Sequence, residues 1–344
     1  MDKTRLLCVW LGPLPDYFPL FAGSCANVPE IDFLLLTDSG MPDYPVPGNL
    51  KFLPLSREEL LQRGREVLGV ELALKRSYKL CDLKPMMGHL LAEHLEGYPY
   101  WGYFDLDQIL CRSLTDCLAR FRQSGADLFS THTQYTHGPM TVFRNSRETR
   151  ELFSKSHDWK RVATSPENFC FDECSDKYSF IATQLGAASC FEPTEGDFTD
   201  IPWEALLGAS PLDCFTTVTA RECQRGTLKA YGESTTLELL RPGESLIYNG
   251  DRIERNDGSV FSIYHWVTEK QRRKFHYPSW KALPERCLVT QYGFFDLATP
   301  RMNLLIALRR LLGASGVLVR DRIKHLLRRW LHLIGEGPDP GDFR

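Results

Sequence analysis

The sequence has no C-x-x-C pair among its eleven cysteines, no apolar run approaching a membrane span, no internal repeat and no low-complexity tract. Each absence removes a class of protein. A structural zinc site normally announces itself with two close cysteine pairs, and an extracellular disulfide framework with an even, regularly spaced set. Here the nearest two, Cys170 and Cys174, are four apart and the others are isolated, which fits reduced thiols packed as small hydrophobes and a cytoplasmic location. A span needs about 18 uncharged apolar residues. Met1 to Arg5 leads straight into a strand-like run without the apolar stretch and small-residue cleavage site of an export signal, so neither export by that route nor integral membrane insertion is expected. Charge is nearly balanced, 41 basic against 44 acidic residues for a net −3, and no nucleic-acid partner is expected. What remains, 43% apolar residues over 344 positions, describes one globular body with a small appendage.

The order of short segments indicates an α/β chain. Leu6 to Leu11 is an apolar run stopped by Gly12-Pro13, and Ile31 to Thr37 is another stopped by Asp38-Ser39-Gly40; both read as strands covered on two faces, in a parallel sheet flanked by helices. Leu50 to Leu55 reads as an edge strand. Ser56 and Glu59 form a capping-box start for a helix, and a second helix is expected over Met86 to Glu96 with Gly97 as its stop. Tyr98 to Leu110 reads as a core strand, Leu110 to Arg122 as a helix, and Ala126 to Ser130 and Met140 to Phe143 as further strands. Helices are expected from Glu148 to Gln184, and short β pieces from Arg221 to Tyr264. The composition changes after Pro300, which sets a body of 1–295 apart from a tail of 300–344.

The sharpest local signal is Trp101-Gly102-Tyr103-Phe104-Asp105-Leu106-Asp107. Ending so apolar a strand in two carboxylates is costly unless a cation meets them. In open α/β sheets ligands bind beyond the carboxyl ends of strands, where these acids would sit. Side chains alternate along an extended segment, so Asp105 and Asp107 would address one site together. Oxygen ligation favours Mg²⁺ or Mn²⁺, hard ions that commonly share their coordination with a diphosphate. The plainer reading is that the two acids cap the following helix or lie on a solvated loop.

Tyr78-Lys79-Leu80-Cys81-Asp82-Leu83-Lys84-Pro85, then a helix, then Tyr100 to Asp107 resembles a family of bacterial glycosyltransferase-like proteins associated with cell-surface polysaccharide. More broadly it is similar to the nucleotide-sugar transferases of GT-A fold, whose D-x-D motif ends a central strand; the likeness covers roughly residues 5 to 275. It implies a Rossmann-type mixed sheet flanked by helices and a nucleoside-diphosphate sugar as donor. It also implies that Asp105 contacts the ribose or metal and Asp107 the metal. Lys79, Asp82 and Lys84 become candidates for phosphate, ribose or base, against a plain Lys–Asp surface pair. Gly138 to Asn145 resembles the strand after D-x-D that lines the donor pocket, against a simple buried strand.

Such transferases often complete the metal shell with a late histidine and neutralise the leaving diphosphate with a nearby lysine. His265 and Lys270, in Ile263 to Lys270, match by position and type, although the longer glycine-containing signature of the glycogenin-like families is absent and the third ligand stays open. A histidine between aromatics also suits a hydrogen-bonded core residue. If transfer inverts the anomeric centre, a carboxylate must take the acceptor proton. Asp172 and Glu173, expected at the head of a helix within Asn168 to Ile181, are candidates for that base or for helix-dipole partners.

The tail carries Arg309, Arg310, Arg320, Arg322, Lys324, Arg328 and Arg329 against Asp321, with Leu326, Leu327, Trp330, Leu331 and Ile334 as an apolar stripe. That is the pattern of an amphipathic helix on a membrane surface, suited to a lipid-linked or glycan acceptor, or of a helix packed on the body. The leading expectation is a metal-dependent glycosyltransferase. Its rivals are a haloacid-dehalogenase-like phosphatase, in which Ile109 stands where a threonine or valine is usual, and a non-catalytic carbohydrate-binding protein of the same fold.

Overall fold

In the computed structural model, residues 3–133, 135–174, 198–199, 204, 212–241, 243–267, 269–271 and 275–298 are described. The chain's apolar runs become the middle of a mixed seven-stranded sheet. Its strands are β1 (Thr4–Trp10), β2 (Ile31–Thr37), β3 (Leu50–Pro54), β4 (Tyr100–Phe104), β6 (Leu128–Ser130), β7 (Met140–Arg144) and β8 (Ala230–Gly232), in spatial order β3-β2-β1-β4-β7-β6-β8. β5 (Gln108–Leu110) belongs to a small second sheet with β9 (Thr236–Leu237) and β13 (Ile263–His265). β10 (Ser245–Tyr248), β11 (Ile253–Arg255), β12 (Val260–Phe261), β14 (Cys287–Thr290) and β15 (Gly293–Asp296) form an antiparallel third sheet. β1 runs parallel to β2 and β4, and β2 to β3, while β7 is antiparallel to β4 and β6.

Alternation along the central strands feeds two cores. Leu7, Val9, Trp101 and Tyr103 face one layer, built on segment 57–95 and the helix Phe215–Gln224; Leu6, Cys8, Tyr100 and Phe104 face the other, under the helices Phe18–Cys25 and Leu114–Ser124. Phe104 stacks on Phe21 with centroids 5.1 Å apart and meets Phe33 edge-on at 5.2 Å. A strand covered on both faces has no polar side to show, which is why its sequence is continuously apolar. The Ser56–Glu59 capping box forms as read, and β3 is the sheet edge. No described helix is long and apolar enough to cross a membrane.

Four segment expectations change. The helix over Met86 to Glu96 is instead a 3₁₀ turn (Lys84–Met86), one α turn (Met87–Leu90) and another 3₁₀ turn (Ala92–Leu95), with Leu91 off helical geometry at φ −127°. Pro85 removes a donor there, and Gly88 lets the Trp101 ring press against the backbone where any Cβ would collide. The strand Tyr98 to Leu110 divides at Asp105 into β4 and β5, so the following helix begins only at Leu114. Arg221 to Gln224, read as β, ends the helix Phe215–Gln224. Between 148 and 174 the helices are short, chiefly Arg147–Arg150 and Trp159–Thr164, and residues 175–184 and the tail 300–344 lie outside the described residues.

Every described cysteine is a free thiol, and most are buried, but Cys170 is exposed rather than packed as a small hydrophobe.

Gly102 marks where β4 fits tightest: a Cβ would collide with the backbone carbonyl of Thr141 on β7 and with the Leu6 side chain. Gly102→Ala should therefore cost at least ~1–3 kcal/mol, the usual penalty of overpacking, since a paired strand carbonyl cannot rotate aside. Urea unfolding midpoints of the two proteins measure it.

Candidate functional site

Where β1 and β4 end at their carboxyl termini, a cleft of about 250 Å³ opens. β4 supplies Asp105 to Asp107 and β1 supplies Leu7 to Leu11. Segment 77–87 contributes Tyr78 and Lys84, the entry to β7 Gly138 and Pro139, and segment 168–174 Asp172 and Glu173. Glu238, His265 and Lys270 come from far along the chain. Two pairings carry them there. β13 is antiparallel to β5 with His265 opposite Gln108, which sets the imidazole beside Asp107; Trp266 N–H donates to Asp107 O at 3.2 Å. β9 is parallel to β13 with Leu237 beside Tyr264, so the next residue, Glu238, reaches His265.

Asp105, Asp107 and His265, the three expected metal ligands, offer ligand atoms all within 4.8 Å of one another. Asp107 and His265 are buried and Asp105 is partly exposed. His265 Nε2 faces Asp107 Oδ2 at 3.3 Å, while its Nδ1 meets Glu238 Oε1 at 2.9 Å. A buried carboxylate on the remote nitrogen holds the ring's orientation and aims the other nitrogen, the usual arrangement behind a metal-binding histidine. Glu238 also accepts from Tyr135 Oη at 3.1 Å, and His137 Nε2 lies 3.2 Å away. Glu238 was not picked from the sequence. Its signal was there: a lone acid inside Leu237-Glu238-Leu239-Leu240 has to find partners when buried.

The charges explain each other. Burial opposes ionisation of Asp107, but His265 and Lys270 outweigh it and hold its carboxyl well below the usual range. Burial likewise disfavours the His265 imidazolium, yet Asp107 and Glu238 raise it to about 9. Lys84, buried, gives its ammonium to Asp105 Oδ2 (2.7 Å), Asp172 Oδ2 (3.1 Å) and Gly138 O (2.9 Å); those two acids hold it above its ordinary value despite burial. Asp172 is lifted to about 7, chiefly by burial and further by Glu173, Asp82 and Asp105, against the pull of Lys84. Glu173 is engaged differently, with Oε1 accepting from Gly138 N–H at 2.9 Å. Both acids lie in an irregular segment; the helix they were expected to head would fall at 175–181, outside the described residues.

Three residues expected at the donor pocket do not line it. Lys79 and Asp82 are 1% and 0% exposed and pair with each other at 2.8 Å, one helical turn apart but facing inward, not on the surface. Asp82 takes N–H groups from Phe169 and Phe171, and Lys79 donates to Glu167 O, so the pair anchors the segment that carries Asp172. Asn145 sits past the far end of β7 and bonds Leu95 O, Tyr98 O and Arg150. β7 is antiparallel to β4, so only its beginning, at Gly138, reaches the cleft.

Asp82→Asn should lower stability by ~3–5 kcal/mol in urea unfolding, the cost of leaving the buried Lys79 ammonium without its counter-charge. A second expectation concerns pH in the presence of EDTA. An imidazole raised to about 9 when folded, against ~6.5 unfolded, contributes stability that is complete below ~6.5 and is lost as pH rises through 9. His265→Gln should remove that decline in the unfolding midpoint between pH 6.5 and 9.

No curated protein matches the chain. A protein-family model does, over residues 6–205 of the 344, a stretch that includes most of β1, the D-x-D acids, Lys84 and Asp172 but ends before Glu238, His265 and Lys270. By that match the chain belongs to DUF6625, a family of unknown function.

Proposed function

We propose that this protein is a metal-dependent glycosyltransferase of GT-A type, moving a sugar from a nucleoside diphosphate to a hydroxyl of a glycan or lipid-linked acceptor. The observation that carries the reading is the meeting of Asp105 and Asp107 with His265, some 160 positions later, at the carboxyl end of the central strand of a mixed sheet. Two carboxylates and one imidazole fit Mn²⁺ or Mg²⁺, leaving coordination positions for phosphate oxygens. The bound ion would supply charge stabilisation for the departing diphosphate.

The chain's own groups account for the remaining work. Lys84, fixed on Asp105 and Asp172, keeps a permanent positive charge beside the metal ligands, and Lys270 adds a second. Glu238 keeps His265 Nε2 turned to the acids. Asp172 is the better candidate for the base because its carboxyl, raised to about 7, can accept a proton near neutral pH, whereas Glu173 is held by a backbone N–H. In an inverting transfer the acceptor oxygen bonds to the anomeric carbon, the bond from that carbon to the diphosphate oxygen breaks, and the acceptor proton passes to Asp172.

The test is a thermal-shift series of nucleoside diphosphates with and without Mn²⁺. At 100 times the dissociation constant a ligand adds ~2.7 kcal/mol, and Asp107→Asn should abolish the metal-dependent part of that shift. Asp172→Asn should keep it while losing transfer by ~10²–10⁴-fold. Metal-dependent nucleotide stabilisation that survives Asp107→Asn would sink the assignment, and turnover of a simple phosphate monoester would favour the phosphatase.

A further inference from the structure

The carboxylate assigned above to the metal is already met by a cation of the chain's own. Lys270 Nζ lies 2.5 Å from Asp107 Oδ2, the oxygen that His265 Nε2 also faces. Lys84 occupies Asp105 in the same way at 2.7 Å. The two lysines are placed very differently. Lys84 is buried, and three acceptors from three separate segments hold its ammonium, so it is a fixed charge. The Lys270 side chain is 27% exposed, it stands on the single 3₁₀ turn Glu269–Gln271, and Asp107 is the partner of its ammonium among the described residues.

A divalent ion binds a carboxylate oxygen at ~2.0–2.2 Å. An ammonium at 2.5 Å from that oxygen fills the same space and repels the incoming charge. We propose that Lys270 is an exchangeable internal counter-ion, holding the metal's place on Asp107 until a diphosphate draws it away, so that metal and diphosphate bind together and leave together. A lysine suits the exchange, being a point charge on a flexible stem with no directional demand, and able to move from a carboxylate to phosphate oxygens without loss of pairing. The sugar transfer itself then sets up release: once the diphosphate departs, Lys270 returns to Asp107 and loosens the metal. This inference rests on the metal and diphosphate reading of the site.

The test is calorimetric titration of Mn²⁺, with and without inorganic pyrophosphate, into the wild type, Lys270→Met, Lys270→Gln and Lys270→Arg. By linkage, the factor by which pyrophosphate tightens Mn²⁺ equals the factor by which Mn²⁺ tightens pyrophosphate. Mn²⁺ alone should bind about 10- to 100-fold tighter to Lys270→Met and Lys270→Gln than to wild type. In these variants the tightening by pyrophosphate should shrink by that same factor, leaving only what direct coordination of the metal by phosphate supplies, while Lys270→Arg, which keeps the charge, should retain it. Suppose wild type binds Mn²⁺ with pyrophosphate through Asp107 but the uncharged variants bind Mn²⁺ alone no tighter. Exchange is then overturned and the metal-dependent reading stands. Failure of every protein to bind Mn²⁺, with or without pyrophosphate, overturns both.

Discussion

Neutralising the two carboxylates that end β4 is the constraint around which the structure is arranged. Asp107 is buried, and Asp105 partly so, at the point where an aromatic strand stops. Each therefore needs a positive partner or a hydrogen-bond donor set. Lys84 comes from the segment before the strand, and His265 and Lys270 come from more than 150 residues after it. The small β5-β13-β9 sheet brings His265 to Asp107, and with it Glu238.

Supporting charges are distributed so that each reactive candidate has a fixed neighbour. Glu238 braces His265, Glu173 braces Gly138, and the buried Lys79–Asp82 pair fastens the segment that presents Asp172. These contacts separate two kinds of charged residue that look alike in sequence. Lys79 and Lys84 are five positions apart on successive turns, yet one is sealed beneath the 167–171 segment and the other lines the cleft. Asp172 and Glu173 are adjacent, yet Asp172 faces Lys84 and is lifted to about 7 by its burial among other acids, while Glu173 accepts from the Gly138 N–H.

The family match and the geometry cover different parts of the site. The matched stretch, residues 6–205, contains the β4 acids, Lys84 and Asp172. His265 and Lys270, which meet Asp107, and Glu238, which braces His265, lie beyond it.

Much of the sheet was legible locally. Leu6 to Leu11, Ile31 to Thr37 and the Trp101 to Asp107 strand end are near-continuous apolar runs closed by turn residues or acids, and short-range pattern suffices for those. The grouping of Asp105, Asp107 and His265 came from the resemblance, by residue type and position; a sequence does not state distance, and it is the fold that brings their ligand atoms within 4.8 Å of one another. Long-range packing decided the rest. The expected Met86 to Glu96 helix breaks at Leu91, just after the turn in which Gly88 packs against Trp101, a contact across thirteen positions that helical periodicity does not contain. Lys79 and Asp82 turned inward because backbone donors of Phe169 and Phe171 wait there, and Asn145 fell at the wrong end of β7 because that strand is antiparallel to β4. Strand direction and the partner of a buried charge are properties of two segments at once, so one segment's sequence could name the candidates while only the folded chain could pair them.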